Sequence, residues 1–231
     1  MAKKLRIIAV ALLGLVLLGL GGVTAVQLQK NKQTNAIITS MQNTELDLAT
    51  SFVFPIAKPL APFSLTDQHG NLFTNTQLNN KWSLFFIGFT SCPDVCPTTM
   101  GKLTAAYPEL LEGADVQIIF LSVDPQRDTQ NKLLDYMNFF NPEFVAITGP
   151  HSQLFPLTRD LGFVYAMIGD GEDYQVDHSA SMALISPDGK KVAIIKPKSL
   201  EPGKLPQISN RNLIADIKTI IANYEVLEPR T

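Results

Sequence analysis

Cys92 and Cys96 are the two cysteines of this chain of 231 residues, and three residues separate them. A proline follows each cysteine. Because the residue before a proline is disfavoured from helical angles, we expect a stiff loop that holds the two sulfur atoms near each other. Two such thiols could form a structural disulfide, act as a thiol redox pair, react with peroxide, or bind a metal ion. The spacing of the cysteines leaves all of these chemistries open.

Three histidines are available to complete a metal site. His69 lies in the turn-like segment DQHGN, where we expect a solvated side chain, and His151 follows a Gly-Pro pair at the start of a predicted helix. His178 precedes a predicted strand, and it joins the cysteines only if the fold brings its loop against theirs. A structural zinc site needs four ligands, whereas Cu(I) accepts a smaller set of soft ligands. Two cysteines and one histidine therefore favour copper over structural zinc.

The cysteine loop lies between a predicted buried strand at residues 82–89 and a predicted helix at residues 97–111. Ligand-binding groups favour the carboxyl ends of strands in open α/β sheets, and a helix N-terminus lowers the pKa of a nearby thiol. Asp128 is predicted to be the N-cap of a later helix. The alternation of strands and helices predicts one α/β domain. The other predicted elements of this domain are an extended lead-in at 52–61, a β-hairpin at 63–74, strands at 116–123, 145–147, 163–168, 181–185 and 192–195, and helices at 129–140, 152–161 and 212–224.

The N-terminal part of the chain differs in composition from the rest. Residues 1–6 carry three basic side chains, whereas residues 7–26 carry no charge over a length that spans a bilayer as a helix. We predict a cytoplasmic N-terminus at 1–6, a transmembrane anchor at 7–26, a polar tether at 27–51, the α/β domain at 52–227 and a tail at 228–231. The chain would then be a single-pass protein of the inner (plasma) membrane. Its domain would face an oxidising space outside that membrane, which we take to be the periplasm rather than an extracellular space. A net charge of −2 without a basic patch argues against a nucleic-acid partner.

Three blocks of this sequence resemble the Sco/SenC family of copper-binding, thioredoxin-like proteins. The blocks are CPDVCP after GFT, SVDP followed by RDT, and DHS followed by SPDG, within residues 59–224. The resemblance implies a thioredoxin-like α/β fold with an inserted β-hairpin, and copper, as Cu(I) or Cu(II), held by Cys92, Cys96 and His178. It also implies a role in assembling the copper A centre of cytochrome c oxidase. The sequence departs from the family at Ser91, because many members have a histidine before the first cysteine.

Three carboxylates lie close in sequence to these residues. Asp94, between the cysteines, is either a solvated loop charge or a negative charge beside a cupric ion. Asp124, which precedes a proline, is predicted to be a turn or cap residue. Asp177 is a candidate hydrogen-bond partner for the second ring nitrogen of His178.

Our main hypothesis is a membrane-anchored copper chaperone whose partner is the copper A subunit of cytochrome c oxidase, or another copper-requiring oxidase. The alternative is a thiol-disulfide reductase, in which Cys92 and Cys96 keep the cysteines of that centre, or of another periplasmic target, reduced. A peroxidase of the peroxiredoxin type has only a short likeness, at VCPT, and gives the DHS block no role. A structural disulfide accounts for the cysteines and leaves the other two blocks unexplained.

Overall fold

The structure, a computed structural model, describes residues 26–30, 32, 46–169, 171, 173–198 and 207–227. The chain divides into two units, residues 1–45 and residues 46–231, and the described residues of the first unit are helical. No helix within the described ranges is both long enough and apolar enough to cross a membrane. The predicted anchor at 7–26 lies outside the described residues except for its last position, so the anchor and the predicted domain limits stay predictions.

Ten strands and five α-helices are found among the described residues of the second unit. The strands are β1 (Ser51–Pro59), β2 (Ser64–Asp67), β3 (Leu72–Thr74), β4 (Trp82–Gly88), β5 (Val116–Ser122), β6 (Val145–Thr148), β7 (Tyr165–Ile168), β8 (Gln175–His178), β9 (Met182–Ile185) and β10 (Lys190–Ile195). The helices are α1 (Val95–Leu110), α2 (Gln130–Phe140), α3 (His151–Leu161), α4 (Asn210–Ala222) and the single turn α5 (Tyr224–Leu227), with a 3-10 turn at Asn75–Leu78.

The centre of the main sheet is built from continuous apolar runs. Every residue of β4 and β5 is buried, as expected for strands that helices cover on both faces. The two strands are parallel, with Gly88 paired to Ser122 at their carboxyl ends. The segments that follow these two residues, the cysteine loop and the loop before α2, are therefore neighbours at one edge of the sheet.

The order of strands in the eight-stranded sheet is β1-β10-β9-β4-β5-β6-β2-β3. The parallel unit β4-α1-β5, the antiparallel pair β9-β10 and the closing helix α4 form a thioredoxin-like core. Between β5 and β9 the chain inserts α2, β6, α3 and the hairpin β7-β8, whose strands pair with each other in a separate two-stranded sheet. The predicted thioredoxin-like α/β fold is confirmed.

Helix α1 begins at Val95, two residues before the predicted start, so Cys96 lies in its first turn rather than in a non-helical loop. The first N–H groups of a helix have no partner within it, and Pro97 therefore removes no helical hydrogen bond at this position. The first helical bond runs from Thr98 N to Asp94 O, at 3.1 Å. The bias of pre-proline residues against helical angles is overridden here by the helix that follows.

The prediction of Asp128 as the N-cap of α2 is wrong. The cap is Thr129, whose side chain accepts a hydrogen bond from Lys132 N. Asp128 is buried and accepts hydrogen bonds from Thr90 and Ser122 instead. A buried carboxylate needs such donors, and they compete successfully with the local capping role.

Candidate metal centre

The donor atoms of Cys92, Cys96 and His178 all lie within 4.8 Å of one another. Cys96 Sγ is 3.4 Å from His178 Nε2, although 82 positions separate the two residues in the chain. The fold therefore brings together the three residues that the sequence proposed as a set. Their assignment as metal ligands stays a prediction.

Hydrogen bonds at the junction between β4 and α1 fix the positions of the two cysteines. Cys92 N donates to Phe89 O at 3.3 Å, and Cys96 N donates to the Cys92 sulfur at 3.4 Å. Cys92 is half-buried, whereas Cys96 is fully buried in the hydrophobic core. Both cysteines lie among the described residues, and neither forms a disulfide. One sulfur therefore faces the surface and the other faces the core.

His178 is the last residue of β8 and pairs with Tyr165 across the hairpin. Its Nδ1 lies 2.9 Å from Ser179 O. A carbonyl only accepts, so this contact places the proton on Nδ1 and leaves the Nε2 lone pair free to bind a metal. The hydrogen-bond partner of the second ring nitrogen is therefore the Ser179 carbonyl rather than Asp177, the candidate from the sequence. Edge-on contacts with Phe86 and Phe89, at 6.5 and 6.0 Å between ring centroids, hold the imidazole plane.

The other predicted positions lie outside this cluster. His69 is exposed in the turn between β2 and β3, and His151 begins α3 with its Nδ1 2.8 Å from the Tyr165 hydroxyl. Asp94 is the exposed N-cap residue of α1, and its side chain makes no capping hydrogen bond. Ser91, the position where the sequence departs from the family, is exposed beside Cys92.

Comparison with known proteins identifies the family. The sequence model of the SCO1/SenC family matches residues 57–212, about two thirds of the chain. The chain belongs to the SCO1/SenC family. The predicted resemblance is therefore confirmed.

Individual SCO1/SenC relatives cover much of the same domain. A Stutzerimonas stutzeri protein named as copper-binding is 33% identical over 151 residues, which are 64% of this chain and 74% of that protein. An SCO2-like protein of Rickettsia prowazekii is 39% identical over 134 residues, 56% of this chain and 65% of its own length. The crystal structure of Arabidopsis thaliana ScoI with copper bound is 32% identical, with a TM-score of 0.61, and the match covers 70% of this chain and 98% of that one.

The two thiols of this SCO1/SenC chain differ in acidity. The pKa of Cys92 falls from its ordinary value of 9.0 to about 3, chiefly because the Cys96 thiol donates a hydrogen bond to its sulfur. Burial opposes this shift. The pKa of Cys96 is raised, because its thiol serves as that donor and because burial disfavours its charged form. Cys92, the more exposed of the two, is therefore the more acidic thiol of the copper-free pair.

We expect the copper-free protein to carry one thiolate near neutral pH. The lowered pKa of Cys92 means that this thiolate disappears only as the pH falls towards about 3. The raised pKa of Cys96 means that its thiol remains mostly protonated at pH 9.0. Thiolate absorbance in the ultraviolet, followed during a pH titration, measures both steps. In Cys92→Ser the acid-resistant absorbance should be missing. An acid-resistant thiolate that survives in this variant would contradict the assignment.

An open cleft of about 470 Å³ borders the site on the side of Cys92. Its walls include residues from the cysteine loop, from the loop before α2 and from the segment around β8, among them Ser91, Cys92, Pro93, Arg127, Tyr174 and His178. The sequence reasoning missed Tyr174 and assigned no role to Arg127. The letters RDT of the second block could have indicated such contacts. They place two charged side chains soon after a buried strand, where each needs a polar or charged partner.

Proposed function

We propose that this chain binds copper through Cys92, Cys96 and His178, and that it assists assembly of the copper A centre of cytochrome c oxidase. The observation that carries the proposal is the convergence of two sulfur atoms and one imidazole nitrogen within 4.8 Å. Thiolate and imidazole together suit copper, whereas a structural zinc site would need a fourth protein ligand. The copper-bound Arabidopsis structure and the name of the Stutzerimonas relative support the same metal.

The burial of the three donors suggests how the copper cargo enters and leaves. Cys96 is fully buried and His178 is held by Ser179 and two phenylalanines, so both are fixed donors. Cys92 is half-buried at the wall of the cleft, where a thiol or imidazole of a partner protein can approach it. Transfer by ligand exchange would therefore begin with replacement of Cys92 by a donor of the partner.

Copper binding to the full chain tests the proposal. We expect one copper ion per chain, and we expect none after the thiols have been alkylated under denaturing conditions and the protein refolded. Metal analysis after removal of free copper measures both values. An unmodified chain that retains no copper would end the proposal.

A thiol-disulfide reductase is the second candidate, and the lowered pKa of Cys92 favours it. The Cys92 thiolate would attack a partner disulfide and release one partner thiolate. The Cys96 thiol would then lose its proton and attack the mixed disulfide, which releases the second partner thiolate and leaves a Cys92–Cys96 disulfide. Exchange with an oxidised peptide that carries the two cysteines of a copper A site tests this candidate, and the absence of exchange would exclude it.

We further propose that the uncharged segment at residues 7–26 anchors the chain in the inner membrane, with the copper-binding domain in the periplasm. The basic residues before that segment support this orientation. An anchored chain would stay in the membrane fraction after an alkaline carbonate wash, and release by that wash would contradict the anchor.

A further inference from the structure

The loop between β5 and α2 contacts both halves of the candidate metal site. In this loop, residues 124–128, the backbone N–H groups of Arg127 and Asp128 both donate to Asp124 O, at 3.2 and 2.9 Å. The loop is therefore a closed turn with defined directions for its side chains. None of its residues belongs to the set of three metal donors.

Asp128 contacts the start of the cysteine loop. Its carboxylate accepts hydrogen bonds from Thr90 N at 2.9 Å, from Thr90 Oγ1 at 2.6 Å and from Ser122 Oγ at 2.6 Å. Thr90 stands two residues before Cys92, and Ser122 is the last residue of β5. The carboxylate thus fastens the start of the cysteine loop to the end of the neighbouring strand.

Arg127 and Asp124 contact the segment that leads to His178. Arg127 Nε contacts Asp124 Oδ2 at 2.5 Å, and Arg127 Nη1 donates to Tyr174 O at 3.0 Å. The guanidinium also lies over the Tyr174 ring, 4.0 Å from its centroid, and the Tyr174 hydroxyl donates to the other oxygen of Asp124. Tyr174 directly precedes β8, which ends in His178. Both the backbone and the ring of the residue that leads into β8 are therefore held by this loop.

The contacts to Tyr174 are important because side-chain packing, and not strand pairing, attaches the hairpin to the main sheet. Within the described part of the chain, β7 and β8 hydrogen-bond to each other and not to the strands of the main sheet. Asp124 is fully buried, and a buried carboxylate that loses its partners is costly, so the ion pair and the tyrosine contact are maintained together. Arg127 also lies 5.7 Å from the Phe89 ring centroid, which places one side chain against both the cysteine loop and the hairpin.

We propose that residues 124–128 form a bracket that sets the position of His178 relative to the two cysteines, with Arg127 and Asp128 as its positioning residues. The proposal rests on the proposed copper site for its spectroscopic test, but the geometry of the bracket exists in the copper-free protein. The two arms of the bracket act on different donors. Loss of the Arg127 arm should free the histidine, and loss of the Asp128 arm should free the cysteine loop.

Variants of the Arg127 arm should weaken Cu(II) binding and leave the Cu(I) stoichiometry unchanged. We choose Tyr174→Phe, which removes one hydroxyl, and Arg127→Met, which keeps an apolar stem. Each should bind Cu(II) about tenfold more weakly, the scale expected for loss of one hydrogen bond to a charged group. The nitrogen hyperfine coupling of the Cu(II) electron paramagnetic resonance spectrum should weaken as well. Arg127→Lys should recover only part of the signal, because one ammonium cannot reproduce the fork of the guanidinium.

Amide hydrogen exchange tests the bracket without any copper. In copper-free Tyr174→Phe, the amides of residues 175–178 should exchange about tenfold faster, and in Asp128→Asn the acceleration should fall on residues 90–92 instead. Tyr107→Phe is the matched control, because this tyrosine packs on Phe144 and lies 11 residues beyond Cys96, about 16 Å along α1. It should change neither measurement.

The outcomes separate the bracket from the proposed function. The bracket would be overturned if Tyr174→Phe kept both the amide exchange rates and the Cu(II) nitrogen hyperfine coupling of the wild type. This test does not depend on whether Arg127→Met folds. A wild-type chain without bound copper would overturn the proposed function, and the exchange measurements would still decide on the bracket.

Discussion

Replacing either cysteine by serine is expected to weaken the binding of both Cu(I) and Cu(II), whereas His178→Ala should remove only the binding of Cu(II). Cys92 and Cys96 supply the soft sulfur donors that Cu(I) prefers, and Cu(I) is satisfied by two of them. Cu(II) prefers nitrogen, which in this cluster comes only from His178 Nε2. Loss of a cysteine should weaken Cu(I) binding by more than about 100-fold, the upper end of the effect for a residue that merely supports a ligand. Competition with a Cu(I) chelator and the visible absorption of the Cu(II)–thiolate bond measure the two effects.

His69→Ala is the control for this series. His69 is exposed in the turn between β2 and β3, and both copper measurements should remain at wild-type values in its absence. Unchanged binding in Cys92→Ser, Cys96→Ser and His178→Ala together would refute the copper site. A wild-type Cu(II) spectrum in His178→Ala alone would refute the third ligand and leave the two thiolates in place.

Local patterns predicted the residue types of this site, whereas only the family resemblance predicted that His178 joins the two cysteines. The cysteine loop could be placed from local patterns, because the apolar runs of β4 and β5 are continuous and α1 follows directly. The position of His178 depends instead on the hairpin β7-β8. Strand β8 has the sequence QVDH, in which one apolar residue gives no strand period, so its extended form follows from pairing with β7.

Two other features were hidden for different physical reasons. Strand β1 contains Pro55 and ends at Pro59, and prolines lower the strand propensity of a segment although an edge strand tolerates them. Asp128 matched a capping pattern, but the donors that decide its role come from Thr90 and Ser122, and Thr90 is 38 residues away. Capping rules consider only residues that are close in sequence, so they do not identify such a donor.

Gly88→Ala is expected to destabilise both the fold and the metal site. A Cβ atom at this position would lie 2.8 Å from Cys96 Sγ and 2.8 Å from Cε2 of Phe120, and both of these side chains are fully buried. Neither neighbour can move into solvent, so the extra methyl group should lower the free energy of unfolding by about 1–3 kcal/mol. The displaced sulfur should also weaken Cu(I) binding. Denaturant unfolding of the copper-free chain and chelator competition of the loaded chain measure the two losses.

Gly101→Ala is the matched control for this substitution, because it adds the same methyl group where the chain has room. Gly101 is exposed within α1. A Cβ atom there would meet no heavy atom within 4 Å other than those of its chain neighbours and of the helix's own backbone. Alanine reduces the entropy of the unfolded chain and favours the helix, so this variant should gain about 0.5–1 kcal/mol of stability and keep wild-type copper binding. The two substitutions should therefore change stability with opposite signs. Equal stability of the two variants would show that the close contact between Gly88 and Cys96 does not constrain the site.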